Sequence, residues 1–184
     1  MNPIIIVVIV LVVVIAGWAV TTYNALVKLR NKCDTQWAQI NVQLKRRADL
    51  IPNLIETVKG YAAHEKETLN AVIEARSKYM KATTAEAQME AGNGLTSALN
   101  RLFALSEGYP ELKANANFLQ LQNDLKDTED KIAYARQFYN DDVNQYKNKI
   151  EMFPSSIIAS FGGFGPKPFY DVAPEDMTVP KVNF

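Results

Sequence analysis

His64 is the only histidine in the chain, and with Glu65 it begins like the zinc-peptidase motif H-E-x-x-H. That motif needs a second histidine one helical turn later to share the metal, and the fifth position here is Thr68. The pattern therefore fails. We expect His64 to be a surface residue, because the charged residues Lys66 and Glu67 follow it closely.

Four carboxylates crowd one short stretch: Asp124, Asp127, Glu129 and Asp130. Paired helical carboxylates bind metals in some bundle cores, but those di-metal sites use a Glu-x-x-His pattern. His64 lies far from this stretch and has no glutamate at that spacing. We expect a solvated acidic face, with no metal and no cofactor.

Cys33 is the only cysteine, which excludes an intrachain disulfide. It lies on an apolar stripe and is expected to be a small core residue rather than a nucleophile. The sequence contains no G-x-S-x-G elbow, Gly-rich phosphate loop or kinase signature. Twenty basic and twenty acidic residues argue against a general nucleic-acid binder. The sequence therefore predicts a protein that is not an enzyme and does not bind nucleic acid.

An uncharged apolar stretch runs from Pro3 to Val20. In a helix it would span roughly 27 Å, close to the ~30 Å of a hydrocarbon core. A cleaved signal peptide is the alternative, since Gly17-Trp18-Ala19 offers small residues around a cleavage site. Only Met1 and Asn2 precede the run, however, and neither is basic. We interpret the stretch as a retained transmembrane anchor that contacts membrane lipid.

The charges that follow the anchor predict its orientation. Lys28, Arg30 and Lys32 come first, opposed only by Asp34, whereas the other flank carries no lysine or arginine. Positive flanks stay in the cytoplasm, so we expect the N-terminus outside and the domain inside a bacterial inner membrane. Trp18 and Tyr23 fit an interfacial aromatic belt, although either could be an ordinary packing residue.

A helical apolar stripe follows the anchor, with steps of three and four residues. It contains Leu26, Leu29, Cys33, Trp37, Ile40, Leu44, Ala48, Ile51, Ile55, Val58 and Ala62, and continues through Leu69, Val72 and Tyr79. Pro52 removes a backbone donor and clashes with the carbonyl of Ala48, so a kink or a break is expected there. The uninterrupted stripe favours a kinked continuation over a hairpin.

Two further helices are predicted downstream. One should start at Thr83, where Glu86 completes a capping box, and run toward Glu107. The next should start at Asn117 and close at Pro154. Its stripe is Phe118, Leu121, Leu125, Thr128, Ile132, Ala135, Tyr139, Val143, Tyr146, Ile150 and Phe153. The fold class is therefore all-α: an N-terminal transmembrane helix followed by an antiparallel up-and-down bundle with an irregular C-terminal tail.

A polar cluster is the one specific site hypothesis. The kink at Pro52 frees a backbone carbonyl that needs a donor, which an arginine could supply. The candidate residues flank the proline or share a face of the last long helix. They are Arg47, Asp49, Asn53, Arg136 and Asn140.

The organisation we predict is an anchor (1–22), a helical bundle (23–153), and a short amphipathic turn with an extended tail (154–184). The tail is too apolar for a solvated segment. We expect it to dock on the bundle with the help of backbone hydrogen bonds or a neighbouring subunit, and we favour a homo-oligomer. Its apolar residues are Phe161, Phe164, Phe169, Tyr170, Val172, Met177, Val179, Val182 and Phe184.

Several blocks of sequence resemble the LemA family. They are QLKRRADLIPNLIETVKGYAAHEKETL (43–69), YPELKANANFLQLQNDL (109–125), IAYARQFYNDDVNQY (132–146) and the closing FPSSIIASFGGFGPKPFY. The resemblance implies a bacterial protein with an N-terminal transmembrane helix and an antiparallel helical bundle. The family defines no catalytic residue, and its genes frequently neighbour those for a membrane zinc metallopeptidase.

These observations favour a membrane-anchored scaffold or adaptor with an unidentified membrane protein partner. The alternative is a membrane-remodelling protein that assembles on lipid. Liposome deformation would support the alternative, and a stoichiometric membrane partner would support the adaptor.

Overall fold

The computed structural model describes residues 2–170, and over that range it contains six helices and no strand. The predicted all-α fold is confirmed. The helices are α1 (Pro3–Lys59), α2 (Lys66–Lys81), α3 (Ala85–Ser106), α4 (Pro110–Lys113), α5 (Ala116–Glu151) and α6 (Ser155–Phe161). The predictions made for Val172, Met177, Val179, Val182 and Phe184 lie outside the described residues.

Helix α1 runs through Pro52 without a break, as the uninterrupted stripe predicted. The chain turns instead after Lys59, where the amides of Tyr61 and Ala62 both donate to the carbonyl of Val58. The stripe itself gave no sign of this turn, because Val58 and Leu69 on either side of it and Ala62 within it are all buried. The chemistry of proline predicted an irregularity at Pro52, whereas the structure places the reversal at residues 60–65.

Two helix starts differ from the sequence prediction by one or two residues. The hydroxyl of Thr84, not Thr83, caps α3 by accepting from the amide of Ala87 at 3.2 Å. The side chain of Asn115, not Asn117, accepts from the amide of Phe118 at 3.0 Å at the start of α5. The sequence offers two residues of the same capping type near each start, Thr83 and Thr84 for α3 and Asn115 and Asn117 for α5, so the capping residue could not be chosen from residue type alone.

The chain divides into two compact units. The terminal unit consists of residues 2–38 and 136–169, and the central unit of residues 39–135 with Tyr170. In the central unit α2 runs antiparallel to α1, because Arg76 contacts Ala48 across the turn at residues 60–65. The core of this unit is formed by Ile51, Leu54, Ile55, Val58, Ala62, Leu69, Val72, Leu95, Ala98, Leu99, Leu102, Leu112, Phe118 and Leu125.

In the terminal unit, α1 and α5 are also antiparallel. Lys32 pairs with Asp142 at 2.6 Å, and the ring of Trp37 lies 5.4 Å from that of Tyr139. The buried residues of this unit include Leu26, Cys33, Tyr139, Val143, Tyr146, Ala159 and Phe164. Cys33 is a buried core residue, as expected, and burial raises the pKa of its thiol. The expectation for Phe153 was wrong: it continues the α5 stripe in sequence but is 81% exposed, because α5 ends at Glu151.

Candidate functional site

The central unit contains a buried arginine, Arg47, which is only 1% exposed. Its Nη1 donates to the hydroxyl of Thr96 at 2.7 Å and also to the carboxylate of Glu129. Its Nη2 donates to the carbonyl of Gly92 at 2.9 Å. The planar guanidinium thus joins α1 to α3 and α5 inside the unit, which a point charge could not do with the same geometry.

Close approach at Gly92 shapes the surroundings of this arginine. A Cβ built at Gly92 would lie 3.2 Å from the hydroxyl of Tyr170 and 3.5 Å from Leu44. Tyr170 itself is 2% exposed. The pKa of Tyr79 is raised by burial and by the nearby Tyr170, and Arg47 opposes that rise. The arginine therefore belongs to a buried polar group on the central unit, and tail residue Tyr170 is part of that group.

The carbonyl of Ala48, which loses its helical donor at Pro52, is satisfied by Arg76. Nε of Arg76 donates to it at 2.7 Å. The expectation that an arginine fills this role holds, but the arginine comes from α2 rather than from the predicted set. Its sequence signal was available, since Val72, Arg76 and Tyr79 continue the stripe and place a cation on an apolar face.

The other residues of the predicted cluster are placed differently. Asp49 is exposed and accepts from Lys45 at 3.0 Å, one helical turn away. Asn53 is exposed, and its carbonyl accepts from the hydroxyl of Thr57. Arg136 and Asn140 are half-buried in the terminal unit. A single cluster of all five residues stays a prediction.

The acidic stretch of α5 is only partly a solvated face. Asp127 and Asp130 are exposed, whereas Glu129 is half-buried and reaches Arg47. Asp127 accepts from Lys131 at 2.7 Å, which holds the pKa of that carboxyl below its usual range. His64 is exposed, as expected. Within residues 2–170 no three potential ligand side chains come together around a metal-sized site.

An open groove of about 720 Å³ lies between α2 and α3 in the central unit. Small side chains form its floor, and charged side chains form its rim. The small residues are Ala71, Ala75, Ala82, Ala87, Ala91, Gly94, Ser97 and Ala98, and the charged residues are Glu74, Lys78, Lys81, Glu90 and Arg101. A smaller cavity of about 240 Å³ opens beside Arg47, next to Lys126 and Glu129.

The described part of the C-terminal tail docks on the terminal unit from Phe164 onward, as the sequence predicted, whereas Phe161 is 90% exposed. Phe164 is 8% exposed and meets the ring of Tyr23 edge-on, with a centroid separation of 5.3 Å. Tyr146 donates its hydroxyl to the carbonyl of Gly165 at 3.0 Å.

Two further contacts hold the next residues of this segment. Tyr139 donates to the carbonyl of Pro168 at 2.8 Å, and Lys167 pairs with Asp34 at 2.6 Å. Hydrogen bonds to backbone carbonyls thus add to the burial of aromatic side chains in offsetting the conformational entropy that the tail loses on docking.

Comparison with known proteins identifies the family. The model of the LemA family matches residues 36–184. The chain belongs to the LemA family. Its α1 is long and apolar enough near the N-terminus to cross a membrane, and the stretch Ile4–Ile15 is exposed in the structure. Together these findings fit a membrane location.

The similar proteins are distant in sequence. Protein LemA of Metamycoplasma hominis is 28% identical over 141 residues, which cover 74% of this chain and 63% of that protein. Magnetosome protein MamQ of Magnetospirillum gryphiswaldense is 24% identical over 168 residues, covering 77% and 62%. Magnetosome protein MamQ 1 of Paramagnetospirillum magneticum is 22% identical over 178 residues, covering 83% and 65%. The chain thus spans less than two thirds of the length of these relatives.

Proposed function

We propose that this LemA-family protein is a membrane-anchored adaptor whose central unit holds a helix of a partner membrane protein in the α2–α3 groove. The observation that carries the proposal is the composition of that groove. Its floor of alanine, glycine and serine lets another helix approach closely, as small residues do at helix–helix interfaces. Its rim offers both signs of charge to fix the register of the incoming helix.

Gly94 provides a sharp test of the groove. It is exposed, and a Cβ built there meets nothing within 4 Å. Gly94→Leu should therefore fill the groove without disturbing the core, and it removes a glycine from the interior of α3. The matched control is Ala133→Leu, at an exposed position of α5 in the same unit. Only the first substitution changes the proposed binding surface.

The experiment is photo-crosslinking from Ala91 in intact cells that produce the full-length protein. We expect one membrane protein to crosslink stoichiometrically, with Gly94→Leu abolishing the product and Ala133→Leu leaving it unchanged. A product that both variants leave intact contradicts the groove. A product consisting only of a second copy would assign the groove to self-assembly.

The family's genomic association makes a membrane zinc metallopeptidase the first candidate partner, and the mass of the crosslinked product tests it. The adaptor role requires no catalysis by the chain itself. Deformation of liposomes by purified protein without any partner would favour the membrane-remodelling alternative. The proposed setting is the bacterial inner membrane, with both units on the cytoplasmic side.

A further inference from the structure

An exposed apolar surface lies at the end of α5 and on α6, in the terminal unit. Phe161 is 90% exposed, Phe153 81%, Met152 63% and Ile157 45%. We call these four residues the apolar tip. Exposed apolar clusters on a soluble surface usually mark contact with a membrane or a protein. The surrounding sequence carries no charge from Met152 through Pro166.

Helix α6 is two-sided. Ser155 and Ala159 are buried on the terminal unit, at 6% and 2% exposure. The large side chains Ile157 and Phe161 point away from that unit and are exposed. The small residues therefore pack against the terminal unit, and the bulky residues face away from it and can contact lipid or another molecule.

The register of the terminal unit places the apolar tip roughly level with the end of the apolar stretch of α1. Lys32 lies against Asp142 and Trp37 against Tyr139, with α1 and α5 antiparallel. Extending this register at the same rise per residue brings the end of α5 roughly level with Tyr23. The uncharged anchor ends at Val20, about 5 Å away along the axis of α1.

Two contacts support this level independently. Phe164, three residues after Phe161, packs against Tyr23 at a ring separation of 5.3 Å. Arg30 lies over the ring of Phe164, with its Cζ 5.2 Å from the ring centroid. Thr22, two residues after the apolar stretch ends at Val20, is only 6% exposed, so the terminal unit covers α1 almost up to that stretch.

We infer that the apolar tip inserts into the lipid headgroup region next to the anchor, as a second membrane contact made by the same chain. Interfacial elements bury apolar side chains to a depth of about 5–10 Å. Lys28 and Arg30 lie one to two turns beyond Tyr23 and suit anionic headgroups. The contact prevents the terminal unit from tilting freely about the anchor.

The test compares two exposed phenylalanines of the terminal unit. Phe161 belongs to the apolar tip, and Phe138 is 56% exposed on α5, roughly level with Trp37 and so far from the bilayer. Full-length protein carries Cys33→Ala and a single environment-sensitive dye at either Phe161→Cys or Phe138→Cys. It is reconstituted into vesicles of phosphatidylcholine and phosphatidylglycerol that contain spin-labelled lipid.

We expect the dye at 161 to emit at shorter wavelength and to be quenched strongly by the spin-labelled lipid, with neither effect at 138. Equal emission and quenching at the two positions would overturn the inference. Nanodiscs that hold a single copy of the protein show whether lipid or a second copy contacts the apolar tip. If lipid is the contact, quenching at position 161 must persist in them. A blue shift that disappears in single-copy nanodiscs would assign the apolar tip to self-association instead. Both labelled proteins must melt at the same temperature as unlabelled Cys33→Ala, since both side chains are exposed.

Discussion

Nε of Arg76 donates to the carbonyl oxygen of Ala48 across 2.7 Å. Ala48 lies four residues before Pro52, so it is the residue whose carbonyl has no helical amide to accept from. An arginine of α2 therefore replaces the missing backbone donor of α1. This replacement explains how a 57-residue helix can contain a proline and still continue to Lys59.

Arg76→Met should remove this bond while keeping the apolar stem of the side chain. We expect the free energy of unfolding to fall by about 1.5–3 kcal/mol, the range for a hydrogen bond to a charged group. The measurement is denaturant unfolding of the full-length protein in detergent, followed by circular dichroism. Pro52→Ala supplies the control, because it restores a backbone donor for Ala48. The same Arg76→Met loss in both backgrounds would contradict the explanation.

Arg47→Lys tests the buried guanidinium. A lysine keeps the charge but cannot reach Thr96, Glu129 and the Gly92 carbonyl together, so we expect a loss of about 1.5–3 kcal/mol. The matched control is Arg46→Lys, since Arg46 is exposed and lies 3.9 Å from Asp127. That change should cost less than about 0.5 kcal/mol. Equal losses at the two positions would mean that the geometry of the guanidinium is unimportant.

Tyr146 should make stability sensitive to alkaline pH. Burial raises the pKa of Tyr146 above its ordinary value near 10. Its contribution is therefore fully present below about pH 10 and is lost as the pH rises through the folded-state value. Ionisation would also remove the proton donated to Gly165. We expect Tyr146→Phe to reduce the loss of melting temperature between about pH 9 and 11. Tyr134→Phe, at an exposed tyrosine, should leave that loss unchanged.

The proposed orientation of the anchor predicts protection from external protease. Because Lys28, Arg30 and Lys32 flank the anchor on the domain side, protease added to intact spheroplasts should leave the domain uncut. Detergent permeabilisation supplies the control, since it should permit cleavage. Digestion in sealed spheroplasts would reverse the proposed topology and exclude cytoplasmic partners.

Removal of metal ions should leave the fold intact. Exhaustive chelation of the fragment beginning near Tyr23 should preserve its helical circular dichroism and its melting temperature. Two acidic residues of this stretch of α5 instead pair with cations of the protein, Asp127 with Lys131 and Glu129 with Arg47. A cooperative loss of helix on chelation, reversed by adding a divalent metal, would contradict this expectation.

The long helices could be predicted because their apolar stripes repeat with the helical period. Gly92 lies within the unbroken helix α3, and its missing side chain makes room for Leu44 and Tyr170. The turn at residues 60–65 was not predictable from periodicity, because the stripes of α1 and α2 are in phase across it. Arg76 stands out as a cation on the apolar stripe, but its contact with Ala48 could not be predicted, because it requires the chain to reverse between the two residues.

The terminal unit takes its two segments, up to residue 38 and from residue 136, from either side of the sequence that supplies the central unit. During synthesis the first segment leaves the ribosome long before the second exists. Residues 39–135 are contiguous and can fold as soon as they emerge, as domains generally do. The terminal unit is therefore completed last, and until then Leu26 and Cys33 lack the helix α5 residues that bury them in the finished protein.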